Sequence, residues 1–291
     1  MTTSTAPLVS IYIPTKNRQR LLERAVCSLL GQTERRIEVI VVSDGCTDGT
    51  CDYVRGIVSD IPVRLIHNEQ SGGACAARNQ ALAIAQGEFV TGLDDDDFFA
   101  PHRIALFLER WLQLEQDNVA FSCLFDTCIV DDGRKVFVNN PSARVTAAEI
   151  RSANLIGNQI FTRRDRLIEA GMYDPQMPAW QDWETWVRVL DRFGPAINVR
   201  ANTYFMDTSH EFDRITMRSG DKIRNAAQLF YRKHCQPADR HGLLLSMSGY
   251  AQVSITLADA VNLLMGGRFR EAGRKLLRGK TVMSLQSSLQ S

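Results

Sequence analysis

The run Ile37-Glu38-Val39-Ile40-Val41-Val42 is apolar at five of its six positions, so neither face of an extended segment there can be given to water. Such a run fits a strand buried on both faces of a parallel sheet, and parallel strands need crossover connections. The flanking sequence supplies them. Residues 9–13 form a short β-rich run that stops at Pro14, and residues 18–30 follow with Leu21, Leu22, Ala25, Val26, Leu29 and Leu30 at helical spacing before Gly31. After a Ser43-Asp44-Gly45 turn, residues 50–58 read as a short helix and 63–66 as a strand. Gly72-Gly73 opens a helix of small residues over 74–85, Gly87 closes it, and 88–93 make a fourth strand. This alternation predicts an α/β fold, a doubly wound sheet with right-handed crossovers. Ligands of such sheets bind beyond the C-terminal strand ends. Pro14-Thr15-Lys16-Asn17-Arg18, Ser43-Asp44-Gly45 and the residues after Leu93 all fall there.

The last of these stretches is Asp94-Asp95-Asp96-Asp97. Adjacent carboxylates repel one another and are tolerated when fully hydrated or when a cation sits among them. One reading is a solvated acidic loop leading into a helix near Pro101. The other is a partial shell of hard oxygen ligands for Mg²⁺ or Mn²⁺ holding a substrate's phosphates. In an extended segment Asp94 and Asp96 share a face while Asp95 and Asp97 point elsewhere, toward loop and helix-capping duties, with Asp97 also able to assist. The strand-end position, level with Asp44 and Pro14–Arg18, favours the cation site. Arg78, among small residues of the 74–85 helix, reads either as a bidentate partner for a diphosphate or as a surface arginine pairing with Glu69 or Glu88.

Composition closes off other classes. Lys+Arg is 34 against 33 Asp+Glu, which gives no nucleic-acid footprint. The seven cysteines are scattered with no CxxC pair, as expected of reduced thiols rather than a disulfide framework or zinc site. No basic and apolar leader precedes Val9, and no apolar run approaches the roughly 18 residues of a spanning helix. These features predict a cytoplasmic protein not integral to a membrane. Neither GxGxxG nor GxxxxGK[ST] is present, against a dinucleotide-binding dehydrogenase or P-loop nucleotidase.

Beyond a helix from residue 101 to about 114, residues 119–125 and 128–138 read as strands, the second broken at an Asp131-Asp132-Gly133-Arg134 hairpin turn. In the segment Met172 to Arg188, Trp183, Trp186, Val187, Val189 and Leu190 give a helix a broad apolar face. Asp182 and Glu184 lie in its first turn, where the helix dipole favours a negative charge. Asp182 therefore reads either as an N-terminal carboxylate or as a catalytic acid among three tryptophans, Trp180, Trp183 and Trp186, a ring-lined pocket suited to sugar. From residue 216 the chain reads as helical over 223–234, 242–264 and 269–277. The last segment sets Phe269, Ala272, Leu276 and Leu277 among arginines and lysines. Packing on the preceding α/β domain is the favoured reading of it, and peripheral contact with an anionic membrane surface the other.

Taken together, Pro14-Thr15-Lys16-Asn17-Arg18, Glu38 to Thr50 with its Ser43-Asp44-Gly45 centre, Gly72-Gly73 with Ala77-Arg78-Asn79, and Gly87 to Asp97 resemble family 2 glycosyltransferases of the GT-A fold. Order and spacing match over about residues 7–210. Cys46 departs from the pattern, which usually has serine there. The resemblance implies a Rossmann-like half with a mixed central sheet plus a C-terminal helical extension. Its divisions would be residues 1–115 for the nucleotide sugar, 116–215 for the acceptor and 216–291 for the helices. By resemblance Asp44 reads the donor's base, Pro14, Thr15 and Arg18 wall the nucleotide pocket, Arg78 lies near the nucleotide, and Asp94 and Asp95 belong to the donor site. Asp96 becomes the direct ligand of Mn²⁺ or Mg²⁺. His210 is either a second partner of that metal or a loop histidine, and Arg214 a lesser candidate for the diphosphate. Gln181-Asp182-Trp183 resembles the family's Glu/Gln-Asp-Trp motif, which makes Asp182 the general base and Trp180, Gln181 and Trp183 acceptor-side residues.

The function implied is an inverting, metal-assisted transfer of a sugar from a nucleotide-diphosphate donor, expected to be a UDP-sugar, to a saccharide or lipid-linked acceptor. It would serve bacterial surface polysaccharide or lipopolysaccharide synthesis, with a homodimer allowed. Two other classes remain: a sugar-phosphate nucleotidyltransferase, against which the glycine-free first loop argues, and a non-catalytic nucleotide-sugar-binding protein.

Overall fold

A computed structural model describes residues 8–116, 123–125, 128–131, 134–136, 142–207, 220–248, 250 and 253. The chain forms two compact units. The first comprises Met1–Ala147, Leu155–Pro175 and Gln181–Glu211, and the second Ala148–Asn154, Gln176–Trp180 and Phe212–Ser291.

The first unit opens with β1 (Val9–Thr15), α1 (Gln19–Leu30), β2 (Ile37–Asp44), α2 (Thr50–Arg55), β3 (Val63–Asn68), α3 (Ala74–Ile84) and β4 (Phe89–Gly92). Every residue of β2 is buried, as its two-sided apolar run demands. The strands pair in parallel in the order β3-β2-β1-β4. Several boundaries differ from expectation. β1 continues through Pro14 to Thr15, because its ladder with β4 stops at Tyr12 and the missing proline N–H falls where only β2 is paired. β2 extends to Asp44, so Ser43 and Asp44 are strand residues opposite His67 and Asn68 rather than a turn. α2 ends at Arg55, where the Gly56 N–H bonds the Asp52 carbonyl.

β5 (Phe98–Phe99), α4 (Arg103–Gln116), β6 (Cys123–Phe125), β7 (Cys128–Asp131), β8 (Arg134–Val136) and β9 (Arg144–Val145) follow. β7 and β8 are antiparallel with Asp131 opposite Arg134, at the position of the expected hairpin. After α5 (Ala147–Ile150) come β10 (Phe161–Arg163), α6 (Arg164–Glu169), α7 (Gln181–Phe193), β11 (Ala196–Asn198) and β12 (Tyr204–Asp207). β10 pairs antiparallel to β4, so the sheet becomes mixed beyond it and runs β3-β2-β1-β4-β10-β6-β11-β9. A smaller sheet runs β5-β12-β7-β8. The core lies between helices and main sheet: Leu22, Val26 and Leu29 of α1, Phe107 and Trp111 of α4, and Ile11, Val41, Phe89 and Phe161 of the strands are buried in one cluster.

The second unit carries α8 (Gly220–His234) and α9 (Arg240–Ser248), joined through a short 3-10 turn, Pro237–Asp239. Gly242 is required where α9 meets Ser152, since a Cβ there would lie 2.5 Å from the serine Cβ.

Candidate functional site

Three strand ends deliver the site. β4 stops at Gly92, and the acidic run that follows is a turn in which the Asp97 N–H bonds the Asp94 carbonyl at 3.0 Å. The alternation expected of an extended segment therefore does not hold, and the carboxylates are tied in pairs, Asp95 and Asp96 through Arg18 and Asp94 and Asp97 through Asn158. Asp94 accepts from Arg78 Nη2 at 3.0 Å, Asn158 Nδ2 at 2.8 Å and Gln159 Nε2 at 3.1 Å. Asp95 accepts from Thr15 Oγ1 at 2.7 Å and Arg18 Nη1 at 3.1 Å, and the same Arg18 nitrogen lies 3.4 Å from Asp96 Oδ2. Asp97 accepts from the Tyr204 hydroxyl at 2.6 Å and the Asp207 N–H at 2.9 Å. Burial pushes the Asp95 carboxyl up to about 6, with Arg18 opposing and Asp96 adding to the rise. Burial, reinforced by Asp97 and Asp94, holds the Tyr204 hydroxyl well above its ordinary value, so it stays a donor.

One oxygen each of Asp94, Asp96 and Asp97 lies within 4.8 Å of the others. Three hard, anionic oxygens at that separation fit Mg²⁺ or Mn²⁺ and match no soft metal. Asp97 thus joins Asp94 and Asp96, the assisting position allowed for it beside a loop or capping role.

Arg78 is buried at 6% exposure and pairs with neither Glu69 nor Glu88. Its guanidinium reaches Asp94 through one nitrogen and lies 3.4 Å from Asp182 Oδ1 through another, which joins the acidic turn to the first turn of α7. It rests 5.2 Å over the ring of Tyr173, whose hydroxyl lies 2.7 Å from that of Tyr12. Asn79 fixes this pedestal by bonding the Tyr173 backbone on both its N–H and C=O. Arg78 Nε and Nη1 and Asp182 Oδ1 are buried without hydrogen-bond partners. Buried polar atoms left open in this way point to a ligand that completes them. Burial pushes the Asp182 carboxyl up to about 6, against the pull of Arg78 and with the help of Asp94.

Asp44, the last residue of β2, has both oxygens in use. It accepts from Ser71 Oγ at 2.6 Å, the Gly72 and Gly73 N–H groups at 2.8 and 2.9 Å, and Asn68 Nδ2 at 3.3 Å. Burial opposes its ionisation, but these bonds outweigh burial and hold the carboxyl below the ordinary range. Gly73 needs no side chain at φ 88°, which lets the loop fold onto Asp44. Cys46 suits the place of the expected serine, because its Sγ accepts the Asn17 N–H at 3.2 Å and donates to the Thr15 carbonyl at 3.5 Å.

On the other side of the reading, Gln181 and Asp182 open α7, while Trp183 at 3% and Trp186 at 0% exposure are packed inside rather than lining an open cleft. Their burial follows from the apolar face of α7, which is a core face. Trp180 belongs to the second unit, where its indole N–H donates to the Tyr250 hydroxyl at 2.9 Å and its ring meets Phe230 edge-on. His210, Arg214 and the basic stretch at 269–277 lie outside the described residues. Tyr12, Arg24, Asn158, Gln159, Tyr173, Tyr204 and Asp207 are contributors that the sequence reading did not name. Only Tyr173 carried a local signal, its place a few residues before Asp182.

The profile of Glycosyl transferase family 2 matches residues 10–161, more than half of the chain. A provisionally named colanic acid biosynthesis glycosyl transferase of Escherichia coli K12, WcaA, is 35% identical over 80% of this chain and 84% of its own length. A teichuronic acid biosynthesis glycosyltransferase of Bacillus subtilis 168, TuaG, equally provisional in name, is 30% identical over 65% of this chain and 75% of its own. Among solved structures, a mannosyltransferase of Pyrobaculum calidifontis in complex with GDP-Man and Mn²⁺ superposes with a TM-score of 0.62. That match has 18% identity over 98% of this chain and 87% of the other. TarS of S. aureus in complex with UDP-GlcNAc gives 0.62 at 19% identity over 82% and 71%. The chain belongs to glycosyl transferase family 2, and its fold is GT-A, as the motif order implied. It is a glycosyltransferase.

Proposed function

We propose that this enzyme moves a sugar from a nucleoside-diphosphate donor to an acceptor hydroxyl by a single inverting displacement, with Asp182 as general base. The observation that carries the reading is the convergence of Arg78 Nε and Nη1 with Asp182 Oδ1, three buried polar atoms that make no hydrogen bond, Nη1 and Oδ1 meeting only as an ion pair at 3.4 Å, beside the three-carboxylate group of Asp94, Asp96 and Asp97. Those carboxylates would hold Mn²⁺ or Mg²⁺, and such an ion, when bound, offsets the charge that builds on a departing diphosphate.

The chain's own residues do the rest. Arg78 presents its open guanidinium edge to the diphosphate, and a fork of fixed donors suits two phosphate oxygens at once. Asp94 and Asp95 flank the nucleotide, Pro14, Thr15 and Arg18 wall it, and Asp44 meets the base at the end of β2. Asp182, with its first-turn position and raised carboxyl, takes the acceptor hydroxyl's proton as that oxygen attacks in line with the anomeric carbon. An α-linked donor then gives a β-linked product. Gln181, beside Asp182 at the start of α7, belongs to the acceptor side. His210 would complete the donor site from the segment after β12. The relatives' names, colanic acid and teichuronic acid biosynthesis, favour a growing polysaccharide as acceptor, and the ligands of the solved structures, UDP-GlcNAc and GDP-Man, are the reason to test UDP- and GDP-sugars as donors. Work at the inner face of the cell membrane, with the basic 269–277 stretch as a peripheral contact, suits such an acceptor.

The test is transfer from a panel of UDP-, GDP- and dTDP-sugars with Mn²⁺ to a lipid-linked or oligosaccharide acceptor. Wild type should transfer from one of them. EDTA and Asp96→Ala should each abolish transfer, and persistence through both would overturn the metal assignment.

A further inference from the structure

The geometry points to Arg24 as a positioning residue for the cation site: it holds the acidic turn from behind, through the backbone rather than through a carboxylate. This rests on the reading of Asp94, Asp96 and Asp97 as ligands. Arg24 projects from α1, and its two terminal nitrogens part company: Nη2 donates to the backbone carbonyl of Asp96 and Nη1 to the carboxylate of Asp207. The guanidinium lies 5.1 Å over the ring of Phe98, which closes its flat face. Asp207 is 4% exposed, and its own N–H bonds Asp97 Oδ1 at 2.9 Å. One side chain therefore grips the peptide after Asp96 directly and Asp97 through Asp207.

The physical reason is the planarity of the peptide unit. Fixing the Asp96 carbonyl fixes the plane of the Asp96–Asp97 peptide and with it the direction in which both residues leave their Cα atoms. Those two residues carry two of the three clustered ligand oxygens. Arg18 meets the same turn differently, because its nitrogen lies 3.1 and 3.4 Å from carboxylate oxygens of Asp95 and Asp96 and so competes for the electrons a cation needs. Arg24 meets the turn at the Asp96 backbone carbonyl and takes no carboxylate oxygen of Asp96 or Asp97. Its pairing with Asp207 also offsets its positive charge, which would otherwise face the ion across the turn. A forked donor is needed here, since a lysine ammonium has no second arm set at the guanidinium angle.

The experiment titrates the donor-free, full-length protein with Mn²⁺ alone and reads the free ion by electron paramagnetic resonance. Arg24→Ala should weaken Mn²⁺ binding by about 10–100-fold, the usual consequence of losing a residue that orients ligands, with Arg24→Lys in between. Because Arg24→Ala strands the buried Asp207 carboxylate, the double variant Arg24→Ala/Asp207→Asn is measured beside it. Thermal stability should recover in the double variant while Mn²⁺ affinity stays low. Affinity that recovers together with stability overturns the proposal, as does wild-type affinity in Arg24→Ala when Asp96→Ala binds no Mn²⁺. If Asp96→Ala binds Mn²⁺ as wild type does, the ligand assignment falls first and the role of Arg24 falls with it.

Discussion

Arg78 shares one guanidinium between two carboxylates of different duty, Asp94 at 3.0 Å and Asp182 at 3.4 Å. Its positive charge partly opposes the burial that raises Asp182 to about 6. If Asp182 is the general base, as proposed, it must be ionised, so kcat/KM should climb tenfold per pH unit below about 6 and level above it. Asp182→Asn should lower kcat by about 10²–10⁴-fold and erase that acidic limb, with donor binding by calorimetry nearly unchanged. Arg78→Gln removes the cation that favours the ionised carboxylate. The limb should then move to higher pH, and the KM for donor should rise as well. A limb that stays in place in Arg78→Gln would contradict the shared-charge reading.

Among elements, the junction of β1, β2 and β4 governs how the strand ends line up. Glu38 is buried within the apolar run of β2 because Ser10 Oγ donates to it at 2.6 Å and the Gln86 N–H at 2.7 Å. Ser10 in turn accepts the Gly87 N–H at 2.8 Å, so one hydroxyl joins β1 both to β2 and to the chain entering β4. Ser10→Ala leaves a buried carboxylate and a buried N–H each short of a partner. It should cost about 1–3 kcal/mol in urea unfolding, without moving KM at permissive temperature. Gly87→Ala should destabilise by a comparable or larger amount, because a Cβ there meets the Ser10 backbone nitrogen at 2.5 Å and backbone cannot step aside. Gly92 is limited differently: its Cβ would strike the Gln159 amide at 2.1 Å, and that amide is a donor to Asp94. Gly92→Ala should therefore impair transfer more than it impairs folding, read as activity against unfolding midpoint.

At the scale of the whole molecule, the acidic turn gathers more negative charge than Arg18, Arg24 and Arg78 offset, while the chain overall stands at +1. A cation that binds only the folded form stabilises it by mass action, about 2.7 kcal/mol at a hundredfold excess over Kd. Mn²⁺ should raise the melting temperature of wild type, EDTA should reverse the rise, and Asp96→Ala should not respond. Among the described residues no helix is long and apolar enough to cross a membrane.

Local order was legible because it is written in period and punctuation. The largely apolar β2, the striped α1, the glycines before α3 and the strand-to-acid junction at β4 each carry their signal within a dozen residues. The order of Pro14, Asp44, Arg78 and Asp94–Asp97 along the chain was enough for the family and for the GT-A fold. Side-chain partnership is a different matter, since it depends on contacts across large sequence separations. Nothing near Arg78 announces Asp182, nothing near Asp97 announces Tyr204, and Asn158 and Gln159 look like ordinary loop amides. The tryptophans show the converse: three rings beside two acids read as a sugar cleft, yet Trp183 and Trp186 face the core because α7 needs one. The sequence by itself determined which strands form, what their ends carry and which family the chain joins. Only the tertiary structure decided which carboxylate meets which cation, because that choice belongs to the meeting of strand ends and helix starts far apart along the chain.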